Sequence, residues 1–294
     1  MTSELDALSA GLAAAVERAG QAVVAVHARP RFSSSGVIWR PGIIVTAEHT
    51  VRREEEITIT LPDGSDRPAT LAGRDPGTDL AVLKLEEPAA GTAATPSESA
   101  LRPGHLILTV GRSQDSGVNA SFGIVSALSG SWRTWRGGRL DQYLRLDLTM
   151  FPNSSGGAAV DSAGGVVGIA TSALSRVAGV AIPASTVNRV LDEILVRGHV
   201  ARGYLGLGLR PVAVSDHHKG LIVLSVESGG PASKAGVLVG DILMSLDSKP
   251  TTDTDEVQSA LEGSAVGRSM QAGLLRGGES KTVSVIIGER PRRD

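Results

Sequence analysis

Hydrophobic positions follow two rhythms along this chain. Leu5, Leu8, Leu12 and Val16 recur at the spacing of one helical face, and Ser3 followed by Asp6 has the form of an N-cap with an acidic first turn. The pattern predicts an amphipathic helix over residues 3–19. From residue 22 the rhythm shortens to strand-like runs over 22–27, 36–39, 43–46, 57–61, 70–72, 80–85, 105–110, 122–128, 143–148, 166–170 and 179–182. Turn signals such as Arg40-Pro41-Gly42, Pro62-Asp63-Gly64 and Asp75-Pro76-Gly77 separate them. Many short strands without alternating helices predict a mainly β protein whose antiparallel sheets close into barrels or sandwiches. Residues 185–197 read as a helix, with Ser185 as N-cap and Gly198 as its stop, and mark the expected domain boundary. Beyond it lie strands over 203–209, 221–227, 241–246, 269–275 and 282–287, a helical turn over 231–235 and a helix over 254–261. That is the size of a small α+β binding module.

Composition narrows this picture without redirecting it. The 294 residues are 41% hydrophobic and 20% charged, as expected for a globular protein with a real core. Thirty-six glycines and only 3% aromatics favour turns and small-residue packing. A net charge of −2, with both signs interleaved, speaks against nucleic acid as a partner. The absence of cysteine excludes disulfides, thiolate metal sites and a cysteine nucleophile. No metal or cofactor is expected, and His217-His218 on a polar stretch reads as a solvated pair. The Ala-rich stretch from Leu8 to Val16 lacks the charge pattern of a secretory signal, and no run reaches spanning length. At face value this means cytoplasm, with an extracytoplasmic location if a leader is missing.

The chemistry gathers at Phe151-Pro152-Asn153-Ser154-Ser155-Gly156-Gly157-Ala158. Two glycines directly after Ser155 permit positive φ and close approach, which an exposed nucleophile on a tight turn requires. Alone, the same letters describe an ordinary surface turn. A serine nucleophile needs a base and a carboxylate to orient that base. Of six histidines, His49 follows directly on the apolar run ending at Thr46-Ala47, and Asp79 stands at the entrance to the apolar run Leu80–Leu85. Each taken separately is equally readable as structural. The chain order His, Asp, Ser is the chymotrypsin order, and the Gly-x-Ser-x-Gly elbow of the α/β-hydrolases is absent.

Together these segments resemble the HtrA/Deg trypsin-like serine proteases, over about residues 21–289. Thr46-Ala47-Glu48-His49-Thr50-Val51 is similar to the family's histidine motif and Thr78-Asp79-Leu80-Ala81-Val82-Leu83-Lys84 to its aspartate motif. Asp147, eight residues before Ser155, falls where the family has its own aspartate. The resemblance implies a double β-barrel of the chymotrypsin type over 21–200, preceded by the helix at 1–20, and a PDZ domain over 201–290. It implies a triad of His49, Asp79 and Ser155, with the N–H groups of Asn153 and Ser155 as the oxyanion hole. It also implies a specificity pocket lined by Ala170, Val180 and Ala181, small and apolar, favouring small or medium aliphatic residues before the cut. In the PDZ domain, Tyr204-Leu205-Gly206-Leu207 looks like the carboxylate-capturing loop, with Val257 and Leu261 as pocket walls or, equally, plain core. Implied partners are unfolded polypeptides, peptides with free apolar C-termini, and further copies of the chain in a trimer.

One departure matters: Asn153 stands where the family has glycine. If that position requires positive φ, the hole forms at an energetic cost. This leaves an alternative to the endopeptidase, a weakly active or inactive protease-like scaffold that binds unfolded or C-terminal peptides.

Overall fold

The computed structural model describes residues 3–86, 91–215, 218–262 and 265–291. Its chain divides into two compact units, residues 1–200 and 201–294. Helix α1 (Glu4–Gly20) opens with a capping box, Ser3 Oγ accepting from the Asp6 N–H while the Asp6 carboxylate accepts from the Ser3 N–H, each at 3.1 Å. Only its C-terminal half packs. Ala15 and Ala19 are buried and Leu12 and Val16 lean on the same core, whereas Leu5 is 73% and Leu8 45% exposed.

Strands β1 (Val23–His27), β2 (Ser34–Arg40), β3 (Ile43–Ala47), β4 (Ile57–Thr60), β5 (Asp66–Asp75) and β6 (Leu80–Leu85) close into a barrel in the order β1-β2-β3-β6-β5-β4. A second barrel closes from β7 (Leu106–Ser113), β8 (Gly117–Ser129), β11 (Tyr143–Asp147), β12 (Ala158–Asp161), β13 (Val166–Thr171) and β14 (Gly179–Pro183), with a small hairpin, β9 (Trp132–Arg133) and β10 (Arg139–Leu140), between β8 and β11. Period-two alternation sorts the side chains of each strand. Val24, Val26, Ile44 and Leu83 fill the first barrel, and Ile107, Leu144, Leu146 and Ala159 the second. The intervening residues Val23, Val45, Val82, Val110 and Val160 form a shared core between the barrels. Both faces of the inner strands are therefore buried, which is why they read as nearly continuous apolar runs.

Helix α2 (Ala184–Arg197) ends at Gly198 in the left-handed region. Its N-cap position is Pro183, not Ser185, because β14 runs directly into the helix and leaves no capping loop.

In the second unit, β15 (Gly203–Tyr204) pairs with β22 (Gly288–Glu289). A separate sheet has the order β16 (Leu207–Ser215), β17 (His218–Val226), β18 (Ile242–Leu246), β20 (Ser269–Arg276), β21 (Glu279–Ile286), with β19 (Lys249–Pro250) beside β18. Helices α3 (Pro231–Lys234) and α4 (Thr254–Ala260) complete it. The expected strand over 203–209 is broken in two at Gly206, whose φ of 74° ends one ladder and starts another. Its core holds Leu205, Leu221, Val223, Leu246, Val257 and Leu274.

The β12–β13 hairpin, which follows the Ser155 turn, is pinned by Asp161. Its carboxylate accepts from the Ser97 and Ser99 hydroxyls and from the Ala163 and Gly165 N–H groups. Burial pushes this carboxyl up, but those donors outweigh it and hold it below the usual aspartate value. A carboxyl lowered in the folded state stabilises above its unfolded pKa of about 3.9 and loses that contribution as pH falls through the folded value. Asp161→Asn is therefore expected to lower the melting temperature at pH 7 and to shrink the drop seen between pH 7 and acid. An unchanged acid-side profile would contradict the assignment.

Candidate active site

Ser155 sits where two tight turns overlap: Ser154 N–H donates to the Phe151 carbonyl at 2.9 Å and Gly157 N–H to the Ser154 carbonyl at 3.0 Å. Gly156 has φ +89°, and a Cβ there would lie 2.2 Å from the Ser35 carbonyl oxygen and 2.4 Å from Thr46 Oγ1. No other residue fits. The turn is stitched to β13 by Gly156 N–H on the Ala170 carbonyl at 2.8 Å and Ala170 N–H on the Gly157 carbonyl at 2.9 Å.

Its remaining carbonyls are held by the segment that joins β1 to β2 and by the start of β2 itself. Arg29 Nη2 donates to Pro152 O at 3.1 Å, Ser35 Oγ to Asn153 O at 2.6 Å and Ser35 N–H to Ser155 O at 3.3 Å. The N–H groups of Asn153 and Ser155 donate to no group among the described residues. Two neighbouring free donors beside a serine hydroxyl are what an oxyanion requires. Asn153 does not lie in the left-handed region, so the anticipated cost of placing asparagine there is absent. Positive φ in this turn falls on Gly156 instead.

The histidine and the aspartate meet at one end of two neighbouring strands of the first barrel. His49 lies in the 3₁₀ turn Glu48–Thr50 that follows β3, and Asp79 immediately precedes β6, the strand paired with β3. The Asp79 carboxylate is fully buried; it accepts from the His49 N–H at 2.9 Å and lies 2.9 and 3.0 Å from His49 Nδ1. Thr171 Oγ1 donates to the same carboxylate. Nδ1 thus carries a proton toward Asp79, which leaves Nε2 of the neutral ring as an acceptor. Asp79 itself has φ +59°, an uncommon conformation that aspartate tolerates better than most residues. An Asx turn sets it up, with Asp75 accepting from Gly77 N–H, Thr78 N–H and Thr78 Oγ1.

The Ser155 hydroxyl faces Ser172. The two Oγ atoms are 3.1 Å apart, and Ser172 N–H donates to Ser155 Oγ at 3.3 Å. No hydrogen bond joins Ser155 to His49 among the described residues. Ala170 and Ala181 are cross-strand partners and share the interior of the second barrel, while Val180 turns to the core between the barrels. The structure brings together Ala170 and Ala181 but not Val180, and all three are fully buried. Asp147 is exposed at the end of β11. Sequence reading missed Thr171, Ser172, Ser35 and Arg29, whose roles depend on contacts across 17 to 123 positions of chain.

In the second unit, strand β16 lies at the end of its sheet, so one of its edges has no strand partner among the described residues. Gly206 O accepts from Glu227 N–H and Leu205 O from Ala232 N–H, both at 2.9 Å, while the N–H groups of Leu205 and Gly206 donate to nothing described. The Tyr204 hydroxyl donates to the Glu227 carboxylate. Leu207 begins β16 and leans on the core. Val257 is a buried core residue and Leu261 a partly buried one, whose carbonyl accepts from Gly203 N–H at 2.9 Å. His217 lies outside the described residues and His218 is exposed. Among the described residues no group of His, Asp and Glu is placed to hold a metal ion, and no helix is long and apolar enough to cross a membrane.

Two six-stranded barrels with a histidine–aspartate pair on one and a serine turn on the other define a trypsin-like serine peptidase fold. Residues 34–169 match the trypsin-like peptidase domain model and residues 203–287 the PDZ domain model. The serine endoprotease DegS of Escherichia coli (strain K12) is 32% identical over 94% of this chain and 85% of its own length. A probable periplasmic serine endoprotease, DegP-like, of Brucella suis is 32% identical over 90% of this chain; the chain spans only 54% of that relative. The solved HtrA-type protease AlgW with decapeptide superposes with a TM-score of 0.83, at 28% identity, over 96% of this chain and 99% of its own. The chain belongs to the HtrA/Deg family of serine endoproteases.

Proposed function

We propose that this protein is an endopeptidase whose nucleophile is Ser155 and whose base is His49. The observation that carries the reading is the pairing of His49 with a buried Asp79 beside two unengaged amides, those of Asn153 and Ser155. In the reaction Ser155 Oγ attacks the peptide carbonyl as its proton passes to His49 Nε2, and Asp79 stabilises the resulting imidazolium. The tetrahedral oxyanion accepts hydrogen bonds from Asn153 and Ser155. His49 then protonates the leaving amine, and water hydrolyses the acyl-enzyme by the same route. The scaffold alternative rested on strain at Asn153, and with Asn153 outside the left-handed region nothing specific favours it.

Substrates on this reading are unfolded polypeptides, cut after small or medium aliphatic residues. The open edge of β16 and the free Leu205 and Gly206 amides support capture of a peptide with a free apolar C-terminus, by strand addition and carboxylate binding. That the HtrA-type protease AlgW was solved with a decapeptide supports peptide binding as such. Exposed Leu5 and Leu8 on α1 fit burial against further copies of the chain, as a trimer. The word periplasmic in the names of the DegP-like relatives supports an extracytoplasmic location over a cytoplasmic one.

Two measurements test the reading. An active-site phosphonate is expected to label Ser155, and an apolar peptide is expected to bind the second unit with its affinity falling when its C-terminus is amidated. No labelling would remove the peptidase, and equal affinity for acid and amide would remove carboxylate capture.

A further inference from the structure

The triad is assembled except for one rotor. His49 and Asp79 are paired, the amides of Asn153 and Ser155 are free, yet the Ser155 hydroxyl is engaged by both the N–H and the hydroxyl of Ser172. A serine side chain has staggered positions about χ1, and the one occupied here commits Oγ to the end of β13 rather than to the imidazole. Attack requires a different one, in which His49 Nε2 accepts the hydroxyl proton.

Ser172 has no structural need of this bond. It is exposed at the end of β13, so its hydroxyl can be satisfied by water at little cost. Its place in the chain is what gives the contact meaning. The preceding residue, Thr171, donates to the Asp79 carboxylate, and Ala170, one further back, holds the Gly156 amide. Three successive residues, the last two of β13 and the one that follows it, therefore touch the turn that carries the nucleophile, the aspartate and the nucleophile itself.

Resting on the peptidase reading, we propose that Ser172 is a positioning residue that holds Ser155 in a resting rotamer, its hydroxyl competing with His49 for the nucleophile. Substrate chain that enters beside residues 171–173 displaces this contact and releases Ser155 to His49. The step moves no proton beyond the hydroxyl's own and needs no additional reagent. The same hydrogen bond lowers the activity of the free enzyme and is lost in the productive complex.

The test is the rate at which an active-site phosphonate labels Ser155 in the full chain. Ser172→Ala is expected to raise that rate by about twofold to tenfold, the range that one net hydrogen bond supports, and to lower KM for a peptide substrate with little change in kcat, because the bond burdens only the free enzyme. Ser172→Thr, which keeps a hydroxyl, is expected to stay near the wild-type rate. A merely structural role cannot give faster labelling, since damage to the site slows it. Equal or slower labelling of a folded Ser172→Ala protein overturns the proposal, as does equal acceleration by Ser172→Thr. Should Ser172→Ala fail to fold, Ser172→Gly, which also lacks the hydroxyl, decides by the same assay. Labelling at equal rates in wild type and variant removes only this inference, whereas no labelling of either removes the peptidase reading with it.

Discussion

Ser155→Ala is expected to abolish hydrolysis of unfolded protein, with a loss in kcat of about 10⁶, the scale found when a serine nucleophile is deleted from a complete triad. Ser154→Ala is expected to cost far less. The two serines are adjacent and both nearly buried, so only their roles separate them. What Ser154 supplies to the turn comes from its backbone, the N–H on Phe151 O and the carbonyl under Gly157 N–H, and alanine keeps both. Ser155 precedes the glycine that alone fits against Ser35 and Thr46, and its own amide is one of the two free donors. Removing its hydroxyl leaves every turn bond in place, so circular dichroism and melting temperature should match the wild type. A dead Ser154→Ala beside an active Ser155→Ala would reverse the assignment.

Much of this arrangement was legible in the letters because it is local. The apolar runs at 43–46 and 80–85 are readable as strands since both of their faces are buried, one in the first barrel and one between the barrels. The capping box of α1 uses only Ser3 and Asp6. Strand β5 reached further than its apolar letters suggest, from Asp66 to Asp75, because its outer positions are polar and its pairing comes from β4 and β6 rather than from its own pattern. Hairpin β9–β10 escaped notice for a similar reason. Each of its strands is two residues long, and it is held instead by Thr134 Oγ1 on the Gly77 carbonyl at 2.7 Å.

The site shows the same division. The proposed triad of His49, Asp79 and Ser155 is readable from motif and order, whereas the groups that aim these residues arrive from far away in the chain. Arg29 and Ser35 reach Pro152 and Asn153 across 123 and 118 positions, and Thr171 reaches Asp79 across 92. No periodicity encodes such pairs. The expectation about Asn153 failed on backbone geometry: the turn takes up its positive φ at Gly156, and holds the asparagine by its carbonyl through Ser35. Likewise the helical spacing puts Leu5, Leu8, Leu12 and Val16 on one face of α1, but it does not say which of them meet the core: Leu12 and Val16 lean on it, and Leu5 and Leu8 are exposed.

Asp79→Asn carries the second large effect, a fall in kcat of about 10⁴ with KM little changed, the scale associated with presenting the wrong histidine tautomer. The carboxylate at this position accepts from three donors: the His49 amide, His49 Nδ1 and Thr171 Oγ1. A carboxylate has acceptor capacity for all three; an amide has one oxygen and a donating NH₂. If the oxygen stays on the His49 N–H, which donates to Oδ1, the NH₂ group takes the place of Oδ2 beside Nδ1 and Thr171 Oγ1 and forces the proton onto Nε2. The imidazole then has nothing with which to accept from Ser155. Burial makes the mismatch expensive, because Asp79 is fully enclosed and water cannot repair it. Thr171→Val tests the same shell more gently: it removes one charge-assisted bond, worth about 1.5–3 kcal/mol, while the tautomer is preserved, so its loss in kcat should be much smaller than that of Asp79→Asn. Asp147→Asn serves as the control, since Asp147 also precedes the nucleophile on the second barrel but is exposed. Steady-state kinetics on one peptide substrate compare all three. An Asp79→Asn enzyme within about tenfold of wild type, or an Asp147→Asn enzyme as impaired as it, would mean that the aspartate orienting His49 is not Asp79.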